Sequence, residues 1–188
     1  MSVHTAVNKS PEAMFVEQTE EAIRTHAKHF DRLEDQNTAF VALQDAIQIA
    51  QETKDTLYLT GLHLDLAEHH LFNNQEREAQ VALQLIRSSP MPPAHGMRFL
   101  SLLGRIDVRA QRYHNAQEQF QKARDIALEE GFLRSATDLA LLRIQALIEA
   151  EDIKKATDLH QEIRNECAPF AQREGLWQNL KKEIIAKS

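Results

Sequence analysis

Histidine and arginine are the residue types whose number and spacing could do chemistry in this 188-residue chain. Nine histidines invite a metal reading. His26 and His29 share a helical face, as do His63 and His70, and Asp65 stands four residues before His69. Each pair is half of a ligand set, but zinc takes three or four ligands and no third donor stands on the same helix. The motif His-Glu-x-x-His is absent, and no histidine follows a glutamate by three residues, so neither a zinc-protease nor a di-iron pattern is written here. Solvated or core-edge histidines are the plain account, and no metal and no cofactor are expected. Phosphate-cradling and nucleophile-elbow motifs are missing, because the five glycines are scattered singly. Cys167 follows Glu166 near a helix end, where the helix dipole raises a thiol pKa; it reads as a small buried residue, not a nucleophile. The sequence therefore predicts no enzyme. The competing catalytic reading is a helical metalloenzyme using His63, His69 or His70 with Asp65.

The arginines are better placed. Arg24, Lys28 and Arg32 are spaced i, i+4, i+8, and Arg98, Arg105 and Arg109 are spaced i, i+7, i+11. Each set falls on one face of a helix. A planar guanidinium suits bidentate recognition of carboxylates, so the chemistry expected of such faces is the binding of acidic groups. The plain alternative is solvated side chains partly paired with acids such as Glu20, Asp31 and Asp107.

The elements that position these residues are helices. Only five Gly and five Pro occur, and runs of Ala, Leu, Gln, Glu and Arg favour helix nearly throughout. A chain that is 43% hydrophobic and 27% charged has an ordinary soluble balance and enough length for one core. The net charge of −6 disfavours direct nucleic-acid binding. No run of 18 apolar residues and no apolar leader is present, so neither a membrane span nor secretion is expected, and a reducing cytoplasm is the default location. A single cysteine excludes an internal disulfide. Ser10-Pro11-Glu12 reads as the start of a helix running to about Leu33. Further helices are expected over Thr38–Glu52, Thr56–Phe72 (capped by Asp55), Gln75–Arg87, Ala94–Ala110, Asn115–Glu130, Phe132–Ala150 and Ile153–Cys167. Gly131 is placed to end a helix in the left-handed conformation. Pro169 opens a last helix to about Ala186, with Leu176, Leu180 and Ile184 as its apolar stripe and Trp177 beside it. Ser88-Ser89-Pro90-Met91-Pro92-Pro93 reads as a stiff connector within the array.

A pattern recurs along these helices. Ala116-x-x-x-Phe120-x-x-Ala123 follows Gly104 by 12 residues. Ala39-x-x-x-Leu43-x-x-Ala46, Ala79-x-x-x-Leu83-x-x-Ile86 and Ala156-x-x-x-His160-x-x-Ile163 repeat it, at intervals of 40, 37 and 40 residues. The small residues let paired helices touch, and Phe120 fills the space beside them. This pattern resembles the tetratricopeptide repeat (TPR), in a longer and divergent form than the usual roughly 34 residues. The chain also lacks that family's early Trp and its Tyr three residues past the Gly. The resemblance implies an all-α fold, an α-solenoid of about four TPR-like helix pairs with a C-terminal capping helix. Residues 1–10 read as a flexible N-terminus, 11–168 as the repeat domain (approximately 11–53, 55–89, 94–131 and 132–168), and 169–188 as the cap.

In TPR folds the first helix of each pair lines a concave groove. Numbering from the marker alanines, the resemblance places Arg24, Lys28 and Arg32 there in the first repeat. It places Leu64, Glu68, Leu71 and Phe72 in the second, Arg98, Arg105 and Arg109 in the third, and Leu141, Gln145 and Ile148 in the fourth. Such a groove is basic at two levels and apolar between them. The function expected is a non-catalytic interaction module, an adaptor, chaperone or scaffold, that holds an extended or helical peptide with acidic and apolar residues. The alternative is a regulatory sensor whose conformation or oligomeric state responds to a peptide or small molecule. The expected partner is another protein or peptide, and homo-oligomerisation is open.

Overall fold

A computed structural model of the chain describes residues 36–169 and 171–187. Over these residues the chain is helical, with no strand. Its helices are α1 (Gln36–Thr53), α2 (Thr56–Phe72), α3 (Glu76–Ile86), α4 (Pro93–Arg109), α5 (Tyr113–Glu129), α6 (Leu133–Glu149), α7 (Ile153–Glu162), the single turn α8 (Arg164–Cys167) and α9 (Ala171–Lys187). One helix expected to be continuous, Ile153–Cys167, is divided at Ile163 into α7 and α8. The helix expected from Ser10 to Leu33, and the first-repeat cations on it, lie outside the described residues. Among the described residues no helix is long and apolar enough to cross a membrane.

The helices end in one way five times. Lys54, Asn74, Gln111, Gly131 and Glu151 each take a left-handed backbone, with φ between 55° and 73°. In each case the next N–H reaches back five residues to a carbonyl: Gln75 to His70 at 2.8 Å, Arg112 to Asp107 at 2.8 Å, Phe132 to Ala127 at 2.7 Å, Asp152 to Leu147 at 3.0 Å and Asp55 to Ala50 at 3.3 Å. This is the Schellman closure, which satisfies the last carbonyls of a helix. Only Gly131 is free of side-chain strain there; the other four each accept a cost of roughly 1 kcal/mol. Lys54 and Asn74 are 20 residues apart, as are Gln111 and Gly131, and Gly131 and Glu151. A helix and its turn thus form a repeating unit of one length. The interval from Asn74 to Gln111 is 37 residues and contains the proline connector. Asp55 caps α2 as expected, its carboxylate accepting from the N–H groups of Leu57 and Tyr58 at 3.1 Å.

Packing follows chain order: each of α1 to α7 contacts the next, and α2 also lies against α4. The tightest approach is α4 on α5. A Cβ built on Gly104 would sit 2.6 Å from Cε1 of Phe120, so the ring occupies the volume that the glycine leaves. Ala116, Ala123 and Ala127 are fully buried beside it. One apolar cluster spans the proline connector, with Leu83 and Ile86 before it and Leu102 and Ile106 after it, and Met91 packs against them. The connector therefore joins parts of one core. At the C-terminal end α9 covers α6 and α7, adding Trp177, Leu180 and Ile184 to Leu141, Ile144, Ile148, Leu159 and Ile163. The buried stripe of α9 starts at Trp177; Leu176, expected inside, is 54% exposed. One residue is about 100° of helix rotation, enough to exchange the two.

Candidate binding face

Residues Gly61, Asp65, Glu68 and Phe72 form the open stripe of α2, at the spacing that keeps them on one face. Across from it α4 presents His95, Arg98, Arg105 and Arg109. The two stripes are joined by ion pairs. Arg98 Nη2 donates to Asp65 Oδ1 at 2.7 Å and to Glu68 Oε2 at 3.0 Å. Arg105 Nη1 reaches Glu68 Oε1 at 3.4 Å, and Arg109 Nη1 donates to Glu76 Oε1 at 2.8 Å. Burial works against the charge of Arg98, but Asp65 and then Glu68 outweigh it and hold the guanidinium above its usual pKa. The hydrogen bond from Arg109 lowers the Glu76 carboxyl below its ordinary range. Near the top of the stripe the His95 ring lies beside Gly61, where a Cβ would stand 3.5 Å from it, at ordinary contact distance.

The alternation of sign continues along the array. Asp138 on α6 takes a fork of two bonds from Arg173 on α9, both 2.7 Å. A cleft of about 170 Å³ separates α4 from α6, with Arg98 and Ser101 on one wall and Asp138 and Leu142 on the other. Acids on α2, bases on α4, an acid on α6 and a base on α9 give a charge ladder across the helices.

Of the residues expected in the groove, Glu68, Arg98, Arg105 and Arg109 are brought together on this face. Leu64, Leu71, Leu141 and Ile148 are not: they are 0%, 0%, 6% and 1% exposed and belong to the core. Numbering from the marker alanines mis-set the rotation of α2 and α6. Leu64 lies about 100° from Asp65, and that angle turns it inward. Phe72 is half exposed at the end of α2, and Gln145 is half-buried and donates to Glu149 at 3.0 Å. Arg24, Lys28 and Arg32 lie outside the described residues. On the described face the expected apolar middle is reduced to Phe72, and the third-repeat level is balanced in charge rather than basic. Asp65, Glu76, Asp138 and Arg173 were not singled out as face residues from the sequence. Their signal was available: Asp65 and Glu68 lie on one helical face, as do Arg98 and Arg105.

A guanidinium carries five N–H donors. Arg105 and Arg109 each spend one, but the Arg105 bond is the longer at 3.4 Å, and Arg105 is about a third exposed. Its bond is the most easily exchanged of the three, which makes it the position from which an incoming carboxylate could be held. His69 and His70 have other engagements. His70 Nδ1 bonds Gln75 Oε1 at 2.8 Å, and the buried His69 bonds Asn73 and stacks on Phe40 with ring centroids 5.1 Å apart. Among the described residues no three His, Cys, Asp or Glu side chains converge as metal donors.

No protein-family model and no curated protein sequence matches the chain.

Proposed function

We propose that the chain is a non-catalytic protein-interaction module, a divergent TPR-like α-solenoid, that holds a peptide segment across the open face of α2, α4 and α6. The observation that carries this reading is the Arg98–Arg105–Arg109 stripe, held in register by Asp65, Glu68 and Glu76 on rigid helices. Side chains fixed in this way have little rotamer entropy left to lose on binding. The recurrent turn at 20-residue spacing supports the solenoid reading. A ligand carboxylate would exchange for Glu68 on Arg105, so acidic peptides are the favoured class and the exchange sets a modest affinity.

The test is a pull-down from native lysate with wild type beside an Arg105→Glu/Arg109→Glu variant, both confirmed folded by circular dichroism. A partner kept by wild type and lost by the variant is the expected result. Equal retention by both would move the site off this face and overturn the assignment. A second reading is a regulatory sensor, supported by a cleft of about 610 Å³ between α7 and α9 at the C-terminal end.

A further inference from the structure

The cleft between α7 and α9 differs from the charge-balanced face in one respect. Its walls carry Arg164 and Lys181, and among the described residues no carboxylate lines it. Both cations lie against the same indole, with Arg164 Cζ and Lys181 Nζ each 5.9 Å from the Trp177 ring centroid. Neither is in an ion pair among the described residues, whereas Arg98, Arg105, Arg109 and Arg173 all are.

The indole itself is immobilised. It stacks on His160 with centroids 4.2 Å apart and planes 11° from parallel. Trp177 Nε1 donates to the His160 carbonyl at 2.8 Å, and His160 Nε2 lies 2.9 Å from the Trp177 carbonyl. A carbonyl only accepts, so the imidazole proton sits on Nε2. Burial lowers the His160 pKa, which leaves the positive charge of the cleft to Arg164 and Lys181. Gln161 and Gln178 add amide groups to the walls, and Ile184 and Ile185 add hydrocarbon. The volume of about 610 Å³ is that of a small-ligand site.

We propose that this cleft binds a small molecule bearing two or more oxyanion groups, carboxylate or phosphate. Two cations held on one ring present converging positive charge, and guanidinium and ammonium donors bind such oxygens directly. Cation–π contacts at an open site are weak, so either cation moves from ring to ligand at little cost. The site is separate from the α2–α4 face and does not depend on what that face binds.

Trp177 is the only tryptophan in the chain, so its fluorescence reports this cleft alone. The full chain is titrated with citrate, with pyrophosphate and with acetate at constant ionic strength. A saturable change with citrate or pyrophosphate, half-complete below about 1 mM, and none with acetate is expected. Citrate alone would mark a polycarboxylate site, pyrophosphate alone a phosphate site, and both a site selecting on charge. Arg164→Gln and Lys181→Gln should each weaken binding about ten-fold, while Arg105→Glu leaves it unchanged. Gln178→Glu keeps both cations and brings a carboxylate to the wall; it should also weaken binding about ten-fold, and it serves if the glutamine variants fail to fold. No saturable change with either polyanion, or binding unmoved by these variants, would overturn the proposal.

Discussion

At His63 burial and polarity oppose each other. The residue is 5% exposed, and its Nδ1 has no hydrogen-bond partner among the described residues. Burial pushes its pKa below the usual 6.5, as it does for His95 and His160. A lowered histidine pKa means that the unfolded chain takes up protons before the folded one does. Stability is therefore present above about pH 6.5 and falls as pH drops below it. His63→Leu removes the orphaned nitrogen and one of these protonation sites. Urea unfolding should show it more stable than wild type by about 1–2 kcal/mol at pH 6, with a shallower loss towards pH 5. Cys167 is the converse case. It is fully buried, and burial followed by the charge of Glu166 pushes its thiol up to about 11. Iodoacetamide at pH 8 should leave the native protein unlabelled and label it once urea unfolds it; rapid native labelling would show that the C-terminal packing opens readily.

Helix α4 meets α5 through a glycine, and the size of that residue decides the approach. Replacing a helical glycine by alanine is worth about 1 kcal/mol in helix propensity. At Gly104 the gain is outweighed, because the new Cβ falls 2.6–2.9 Å from three atoms of the Phe120 ring. Overpacking of this kind costs about 1–3 kcal/mol, so Gly104→Ala should destabilise the protein in urea by about 1–2 kcal/mol net. Phe120→Leu in the same chain removes the clash, so the double variant should lose less than the sum of the single changes. Additive losses would mean that the two residues are not in contact. The same element carries the arginine stripe, so a shift of α4 away from α5 would also displace Arg98 from Asp65 and Glu68.

At the scale of the whole molecule, the junction of α9 with α6 and α7 is the vulnerable place. Without α9, Leu141, Ile148, Leu159 and Ile163 would lose their cover. Trp177 is the main residue of that cover and adds two hydrogen bonds across the junction. Trp177→Ala should cost about 3–4 kcal/mol, seen as a lower urea midpoint, and removal of residues 169–188 should leave a chain that aggregates at concentrations where wild type stays dispersed. A truncated chain of unchanged solubility would refute the cap role.

Much of the fold was legible in the sequence because its determinants are local. Asp55 as a cap, Gly131 as a left-handed terminator and the proline connector all act within a few residues of themselves. The closeness of Gly104 to Phe120 also followed from spacing, since a short turn brings back the next helix in a fixed register. The candidate site was legible only in part. Which residues are cationic was evident; whether those cations are free was not. Arg98 meets Asp65 and Glu68 from 33 and 30 residues away, a contact set by the rotation of α2 and α4 about their own axes. A rotation of about 100° separates Leu64 from Asp65 and Leu176 from Trp177, and no local signal fixes it. The sequence by itself determined, to within a few residues, where most of the described helices start and stop, because backbone hydrogen bonding and turn chemistry are short-ranged. The buried side of the helices that carry the recurring alanines was also readable, but only the tertiary structure decided which side of α2, α6 and α9 is inside, because that depends on the volume each neighbour leaves to be filled.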